Sequence, residues 1–311
     1  MTDELFAHPA WSAVLERAYG FDLRRSADGF PYAVLDDLAG KRVSALPFAD
    51  YLPLANERQA ADLWMELSAR FPEHQLTLKT VLAEEHLPAM GQVSRRAVYH
   101  RYFPGGAAGS AFRRNVRRAE RSGMTVHRAE DAAALDRFQE LYHWQRLRKF
   151  GGIPQPPGFF AAVHGAFMAV GNGFCLEAVT AGGELAASIV VLRAGAGWFY
   201  KFGASNPALL SDRPNDLLFH YLTRRVDEGN AAFLDLGLSG AGDNYVGLRR
   251  FKSGTGAVQF PVHYLRGGAE LSSAARAFKA YAGKLSGDLV AADSPQATTA
   301  VVSENLYRYF A

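Results

Sequence analysis

Hydrophobic periodicity predicts helices and short strands in the first part of the chain. Over residues 56–70, Ala60, Leu63 and Leu67 fall on one side of a helix with 3.6 residues per turn, and residues 9–19 have the same period. Between these helices, short apolar segments are separated by Asp-Gly and Ala-Gly turns, a pattern typical of a β-meander. Two more alternating segments then predict two strands.

The remainder of the chain has a similar but longer order of elements. The pattern predicts a basic helix, a strand, two helices, three strands joined by tight turns, and then a helix, a strand, a short helix and a strand. A helix near 271–285 and a weakly structured tail at 286–311 follow. A Pro-Gly-Gly sequence at 104–106 marks a break. We therefore predict an α+β fold with domains at 1–103 and 104–285, each a mixed central sheet flanked by helices.

The composition is that of an ordinary globular protein in a reducing compartment. The 311 residues carry 34 Lys and Arg against 31 Asp and Glu, and 49% are hydrophobic. Cys175 is the single cysteine, which excludes an intramolecular disulfide and sites held by several thiolates. The opening MTDELFAH lacks the features of a secretory signal, and prolines interrupt the uncharged stretch at 151–176. We expect a cytoplasmic protein without a transmembrane segment.

Several common catalytic motifs are absent from the sequence. The nine histidines are scattered without metal-ligand spacing, and no GxxxxGK[ST] phosphate loop is present. Tyr245 stands where a dinucleotide fingerprint beginning at Gly240 needs its third glycine, and Ala241 stands where a nucleophile elbow around Ser239 needs one. We therefore expect no metal site, no tightly bound cofactor and no serine-hydrolase chemistry.

Positive charge is concentrated in one region. From Arg95 to Arg128 the chain has nine arginines and one glutamate, although the net charge of the whole protein is only +3. At helical spacing, Arg113, Arg117 and Arg121 fall on one face of the basic helix. Such a face suits the phosphates of RNA or of a diphosphate-bearing substrate, for which Arg113 and Arg117 are candidates. It is equally typical of a solvated surface or a salt-bridged interface.

Two further segments place cations beside glycines and aromatic residues. In WFYKFGAS the strand period puts Trp198, Tyr200 and Phe202 on one face and Lys201 on the other. A lysine there suits an anionic ligand, but it also protects a sheet edge from aggregation.

The second segment, at 234–256, is a strand that ends in glycines and leads into a short helix. That helix carries Arg249, Arg250 and Lys252, and three cations at such a junction suit negative charge that develops during a reaction. A charged surface turn would have the same composition. In the two segments together, the candidate phosphate-binding residues are Tyr200, Lys201, Arg249 and Arg250.

Segments of the chain, in their order and spacing, resemble the FemAB-like (BioF2-like) branch of the GNAT acyltransferase superfamily. They are RRNVRRAERSGMTV, RLRKFGGIPQPPGFF, WFYKFGAS, and FLDLGLSG followed by RRFKSGTGAV, and LDDLAGKRVSALPFADY is similar to the N-terminal domain of that branch. The resemblance implies two tandem GNAT-like domains. It also implies transfer of an aminoacyl group from tRNA, or of an acyl group from coenzyme A, to a primary amine.

The resemblance implies a role for the Phe-Lys dipeptide that follows the last glycine loop. Here the dipeptide is Phe251-Lys252, and its lysine would stabilise the oxyanion that forms when the amine attacks the carbonyl. No general base is evident, and Asp235 and Asp243 are the candidates. Residues 211–218 lack the glycine pattern with which GNAT enzymes bind pyrophosphate, and the long coiled-coil arm of many tRNA-dependent relatives is absent. Both carriers therefore stay open.

We predict an N-acyltransferase that uses acyl-CoA or aminoacyl-tRNA as co-substrate. The expected acceptor is a primary amine of a cell-wall precursor or an exopolysaccharide intermediate, either a small molecule or a lipid-linked one; tRNA is a candidate partner and DNA is not. Two alternatives stay open. One is a non-catalytic RNA- or polyanion-binding protein on a GNAT-like scaffold, which would use the arginines at 113–121. The other is a structural partner in an envelope-assembly complex.

Overall fold

A computed structural model describes residues 4–84, 87, 91–149, 151–289 and 294–311, which adopt an α+β fold. The helices are α1 (Pro9–Tyr19), α2 (Glu57–Arg70), α3 (Ser110–Arg121), α4 (Ala132–Arg148), α5 (Pro157–Ala166), α6 (Pro214–Asp227), α7 (Val246–Gly254), α8 (Ser273–Leu289) and α9 (Gln296–Leu306). The strands are β1 (Asp22–Arg25), β2 (Pro31–Asp37), β3 (Gly40–Ala45), β4 (Gln75–Thr80), β5 (Gln92–Tyr102), β6 (Thr125–Ala129), β7 (Gly173–Val179), β8 (Leu185–Ala194), β9 (Gly197–Ser205), β10 (Phe233–Gly240) and β11 (Val258–Gly268).

The chain forms two compact units that are interleaved along the sequence. The first comprises Met1–Ala97, Gly151–Ala162 and Pro261–Ala311, and the second comprises Val98–Phe150 and Val163–Phe260. The chain therefore passes between the units within β5, between α4 and α5, within α5 and within β11. Residues 151–162 and 261–285, which the sequence pattern assigns to the C-terminal domain, lie in the first unit.

The tail at 286–311 contains α9, where we expected little structure. The buried side of α9 consists of Thr299 and Ser303, and no apolar period marks it. Their hydroxyl groups donate to the carbonyls of Gln296 and Thr299 within the helix, so the helix itself supplies acceptors for its buried side. Packing of small polar residues therefore takes the place of the hydrophobic stripe by which a sequence pattern identifies a helix.

The sheet of the first unit has the strand order β1-β2-β3-β4-β11. The first three strands form the predicted antiparallel meander, β3 pairs parallel with β4, and β4 pairs antiparallel with β11. Helix α2 packs on this sheet through Leu63, Trp64 and Leu67, as its period predicts. Asn56 caps α2, because its side chain accepts a hydrogen bond from the backbone N–H of Gln59.

In the second unit the strand order is β5-β10-β9-β8-β7-β6. Neighbouring strands from β6 to β9 are antiparallel, whereas β9 and β10 are parallel. Helices α3 and α6 cover one face, where Val116 and Leu222 share a buried core with Leu234 of β10. Helix α4 covers the other face, and its Arg137 forms an ion pair with Glu177 of β7. The predicted mixed sheet flanked by helices is confirmed.

Strand β9 departs from simple alternation at Lys201. One residue of β8 pairs with Tyr200 and the residue before it pairs with Phe202, so Lys201 is an extra residue in β9. Phe202 consequently contacts Tyr142 of α4, whereas Tyr200 and Trp198 pack against the core on the opposite face. The prediction that these three aromatic residues share one face is wrong for Phe202, because the bulge reverses the alternation.

Candidate active site

Strands β9 and β10 pair over a short distance and then separate. Their parallel register runs from Phe233–Gly197 to Asp235–Phe199, and both strands continue beyond it. Gly237 has a φ of 70°, a left-handed conformation that turns the backbone out of the regular strand. Its N–H donates to Oδ1 of Asp235 at 2.7 Å. The carboxyl ends of two parallel strands therefore diverge, which is where open sheets bind ligands.

Lys252 of α7 lies where the two strands diverge. The residue is only 2% exposed, and its Nζ donates to the backbone oxygens of Gly237 at 2.9 Å and Leu238 at 2.7 Å. A buried ammonium group needs polar partners, and the irregular backbone of β10 supplies two carbonyl dipoles. The lysine that the resemblance nominates is therefore enclosed and held in one orientation by the strand whose end forms the site.

Asp235 is also buried, and its carboxylate contacts residues of β10 and β5. Besides accepting from the N–H of Gly237, its Oδ2 lies 3.5 Å from Nη2 of Arg101 in β5. The guanidinium of Arg101 lies 4.0 Å from the centre of the Phe233 ring. These contacts tie the carboxylate to the turn in β10. Asp243, the other candidate base, is exposed in the loop before α7.

Asp235 and Lys252 approach β10 from opposite faces of the sheet. Helix α7 belongs to the same layer as α3 and α6, because Phe251 contacts Phe112 and Phe219 on those helices. In β10 the leucines on either side of Asp235 pack against the helices of this layer. Because successive side chains of a strand point to opposite faces, the side chain of Asp235 points to the face of the sheet away from α7. The structure thus brings both residues to the same stretch of backbone from opposite faces of the sheet.

His100 of β5 is a buried polar residue that the sequence analysis missed. It is 0% exposed, and its Nε2 lies 3.2 Å from Oγ of Ser253, the residue that follows Lys252. A signal was present in the sequence, since His100 takes an inward position between Val98 and Tyr102 in an otherwise apolar series. A histidine at an inward position of an apolar strand indicates a buried polar contact.

The imidazole of His100 is neutral at physiological pH. Burial, and after it the positive charges of Lys252 and Arg249, lower its pKa from 6.5 to about 4, while a hydrogen bond with Gln259 acts in the opposite direction. Nδ1 is buried and has no partner that meets hydrogen-bond geometry in the described part of the chain. The neutral ring is therefore able to accept a proton, and the two neighbouring cations oppose its protonation.

Arg249 holds the glycine loop that joins β10 to α7. Its Nη1 donates to the carbonyl oxygens of Gly240 and Gly242, the latter at 2.9 Å. Arg250, by contrast, is exposed to solvent. Near the end of β10, the hydroxyl of Ser239 is buried and has no hydrogen-bond partner among the described residues. A buried polar group of this kind calls for an explanation, and a bound ligand would supply one.

Tyr200 and Lys201 lie on β9 beyond its pairing with β10. The ring of Tyr200 packs edge-on against Phe219, with 4.8 Å between ring centres, and burial raises the pKa of its hydroxyl to about 12. Tyr200 therefore stays neutral at physiological pH. Lys201 is half-buried, and its Nζ lies 6.0 Å from the centre of the Phe202 ring. Phosphate binding by these two residues stays a prediction.

Helix α3 presents its arginines to solvent. The exposed residues are Arg113, Arg114, Arg117, Arg118 and Arg121. Arg113 donates to the carbonyl of Ala108 in the loop before the helix, and none of the five forms an ion pair with a described residue. The salt-bridged interpretation of this helix therefore finds no support in the described part of the chain, and the five charges face water.

The start of α3 lies against the end of α7. The N–H of Gly109 donates to the carbonyl oxygen of Gly254 at 2.8 Å. Gly256 has a φ of 96°, and a Cβ placed on it would lie 2.8 Å from the carbonyl carbon of Gly106, so the two backbones pass closely only because both residues are glycine. The arginine-rich helix thus begins beside the helix that carries Lys252.

The first turn of α6 contains a buried acidic residue. Asp216, in the first turn, is 6% exposed and accepts a hydrogen bond from Nδ2 of Asn115 at 3.0 Å. Burial raises its pKa, while the bond to Asn115 and the charge of Arg213 lower it. Helix N-termini attract anions, and here a carboxylate already lies in the first turn.

Cys175 is fully buried, and burial raises the pKa of its thiol to about 12. Within the described residues, no group of three or more His, Cys, Asp or Glu side chains is placed to hold a metal ion. Nor does any helix in the described ranges have the length and apolar character needed to cross a membrane.

Comparisons with known proteins support the predicted fold. Residues 109–253 match the family model of an acetyltransferase (GNAT) domain, and no curated protein matches the sequence. The structure is similar to that of FemX, with 13% identity and a TM-score of 0.63 over 84% of this chain and 92% of FemX.

Two further solved structures carry related names. One is the C-terminal domain of a protein described as a lysylphosphatidylglycerol synthetase of Agrobacterium fabrum, with 12% identity and a TM-score of 0.59 over 95% of this chain and 99% of that one. The other is L-PGS of Bacillus licheniformis, with 12% identity and a TM-score of 0.59 over 90% of this chain and 96% of that one. At these identities the likeness is one of fold.

Proposed function

Residues 109–253 form an acyltransferase domain of the GNAT type, and we propose that the chain transfers an aminoacyl or acyl group from a carrier to a primary amine. The observation that carries this proposal is the position of Lys252. Its ammonium is buried where β9 and β10 separate, and the carbonyls of Gly237 and Leu238 hold it in place. No covalent enzyme intermediate is required.

In the proposed reaction, the amine nitrogen attacks the carbonyl carbon of an ester or thioester, and the electron pair of the C=O bond moves to oxygen. Lys252 stabilises the resulting oxyanion. Because its ammonium is already oriented and shielded from water, little reorganisation opposes this interaction when the charge appears. The oxyanion then reforms the carbonyl and expels the oxygen or sulfur of the carrier.

We assign Asp235 a positioning role in this scheme. Its carboxylate fixes the N–H of Gly237 and is itself held by Arg101, so it maintains the turn whose carbonyls orient Lys252. Its side chain leaves the face of the sheet opposite to α7, which disfavours direct proton transfer in a site on the α7 side. Asp243, in the exposed loop, remains a candidate base.

Among possible carriers, the geometry favours aminoacyl-tRNA over acyl-CoA. The N-terminus of α6, which would be the place for a pyrophosphate group, already has the carboxylate of Asp216 in its first turn. The five exposed arginines of α3 lie on a helix that begins beside α7 and would offset the phosphates of an RNA. The name lysylphosphatidylglycerol synthetase, given to one structural neighbour, is consistent with aminoacyl transfer.

For the acceptor, we propose a primary amine of a cell-wall precursor or an exopolysaccharide intermediate. Such molecules commonly carry a diphosphate, either on a nucleotide or on a lipid. Arg250 is exposed on α7 and Lys201 is half-buried on β9, and we propose that these two cations contact the phosphate oxygens of such an acceptor.

A parallel donor assay tests the proposal. The protein is incubated with tRNA charged with radiolabelled amino acids or with labelled acyl-CoAs, each with and without an amine-bearing cell-wall precursor. We expect amine-dependent loss of label from charged tRNA that Lys252→Met abolishes and Lys284→Met, a change at an exposed lysine of α8, does not. Label lost only from acyl-CoA would overturn the choice of carrier, and no transfer from either donor would overturn the enzymatic proposal.

The exposed face of α3 also supports a second candidate, a protein that binds RNA or another polyanion without catalysis. In that case RNA affinity would fall steeply with salt, Arg117→Ala would weaken it, and neither donor would lose its acyl group. The donor assay and a filter-binding titration at several salt concentrations therefore separate the two functions.

A further inference from the structure

The proposed function leaves open which group takes the proton from the attacking amine. A primary amine that has attacked a carbonyl carries a positive charge, and loss of one proton lets the intermediate collapse toward the amide. The group that accepts this proton should lie on the same side of the sheet as the ammonium of Lys252. Asp235 leaves the opposite face, where it is paired with Arg101.

His100 and Ser253 are on the required side. His100 precedes Arg101 in β5, and consecutive residues of a strand point to opposite faces, so His100 faces the layer of α7. Its Nε2 lies 3.2 Å from Oγ of Ser253, which directly follows Lys252 in α7. Ser253 is exposed while His100 is fully buried. The pair therefore connects the surface of α7 with a buried imidazole.

The surroundings of His100 distinguish this pair from a nucleophilic triad. In a triad, a carboxylate bonds to the second ring nitrogen and fixes the tautomer. Here Nδ1 has no such partner in the described part of the structure, and the charged neighbours are the cations Lys252 and Arg249. A buried imidazole between cations favours the neutral form, so His100 starts the reaction as an unprotonated acceptor.

We propose that Ser253 and His100 form the proton relay of the acyltransferase, with Ser253 contacting the acceptor amine and His100 receiving the proton. This inference rests on the proposed function. As the C–N bond forms, the N–H proton passes to Oγ of Ser253 and the hydroxyl proton of Ser253 passes to Nε2 of His100. When the oxyanion reforms the carbonyl and the bond to the carrier breaks, the proton returns by the same route to the departing oxygen or sulfur.

The change in charge during the reaction explains how His100, a weakly basic imidazole, can act as the proton acceptor. Before the amine attacks, a proton on His100 would face the ammonium of Lys252 and the guanidinium of Arg249. During the reaction, the oxyanion offsets the charge of Lys252 at the same moment as the proton reaches the ring. Protonation of His100 is therefore favoured in the tetrahedral intermediate and disfavoured before and after it.

Single-turnover kinetics with the carrier used by the wild-type protein test the relay. We expect Ser253→Ala and His100→Gln each to lower the rate of the chemical step by about 100-fold or more, with donor affinity retained. Ser253→Thr keeps the hydroxyl and should retain most of the rate. His220→Gln, a change at another histidine whose pKa burial lowers, serves as the control and should transfer at the wild-type rate.

Two further readouts separate proton transfer from a structural effect. Imidazole added to His100→Ala should restore part of the rate, and the variant should lose the solvent deuterium isotope effect of the wild type. Because Ser253 is exposed, Ser253→Ala should fold normally even if the changes at His100 do not.

The outcomes distinguish failure of the relay from failure of the proposed function. A wild-type rate in Ser253→Ala would overturn the relay, and so would a covalent acyl adduct trapped on Ser253, which would make it a nucleophile. A wild-type protein that transfers no acyl group from any donor would instead overturn the proposed function.

Discussion

The buried pair of Asp235 and Arg101 provides a quantitative test of how the site is held together. We expect Asp235→Asn to lower the free energy of unfolding because it leaves the guanidinium of Arg101 buried without its counter-charge. The two side chains are 2% and 12% exposed, so water replaces little of the lost interaction. Asp243→Asn, at an exposed position of the adjoining loop, is the matched control.

The structure sets the size of the effect. Removing one partner of a buried ion pair typically costs about 3–5 kcal/mol. Asparagine retains an oxygen that can accept the hydrogen bond from Gly237, and Arg101 keeps its contact with the ring of Phe233, so we expect a loss of about 2–3 kcal/mol. The control should change stability by less than about 0.5 kcal/mol.

Urea unfolding of four proteins isolates the interaction. The wild type, Asp235→Asn, Arg101→Met and the double variant form a double-mutant cycle, in which we expect a coupling energy of about 2 kcal/mol. Asp235→Asn should also speed hydrogen exchange at the amide of Gly237, since the acceptor of that amide is weakened. If Asp235→Asn were as stable as Asp243→Asn, or if the coupling energy were zero, the positioning role of Asp235 would be refuted.

Three further predictions concern residues around the site and in the core. Because the pKa of His100 lies near 4 in the folded state, the unfolded chain binds a proton first as the pH falls from 6.5 to 4, and this group should lower stability across that window by up to about 3 kcal/mol. In urea titrations at several pH values, His100→Gln should lose less stability over this window than the wild type, while His74, His143 and His220 keep their own contributions. Gly256→Ala should lower the melting temperature, at a cost of about 2 kcal/mol or more, whereas Gly247→Ala, on α7 with open space around it, should raise it slightly. Cys175 should react with a thiol reagent only after denaturation, as a colorimetric thiol assay would show.

Periodicity predicted the elements whose stability comes from apolar packing. Helix α2 is the clearest case, since its buried residues repeat at the helical period and its cap is an asparagine side chain. Helix α9 was not predicted, because Thr299 and Ser303 form its buried side and give no apolar period. The faces of β9 were assigned incorrectly after Lys201, because a one-residue bulge leaves no mark in a pattern of alternating residues.

The candidate site was predictable only in part, for the same physical reason. The resemblance and the charge pattern pointed to Lys252. The carbonyl oxygens of Gly237 and Leu238 that hold it depend on the left-handed conformation of Gly237, and the sequence alone does not show which glycines adopt that conformation. His100 and Ser253 are far apart in sequence and meet only through packing of α7 beside β5. Long-range pairs of this kind leave no local signal in a single sequence.

The most direct measurement of the central claim is the single-turnover rate of acyl transfer by Lys252→Met compared with Lys252→Arg. We expect the methionine variant, still folded and still able to bind the donor, to transfer about 100-fold to 1000-fold more slowly than the wild type, and the arginine variant to recover part of the rate because it retains the positive charge. A folded Lys252→Met protein that transfers within about threefold of the wild-type rate would contradict the claim that this ammonium stabilises the oxyanion.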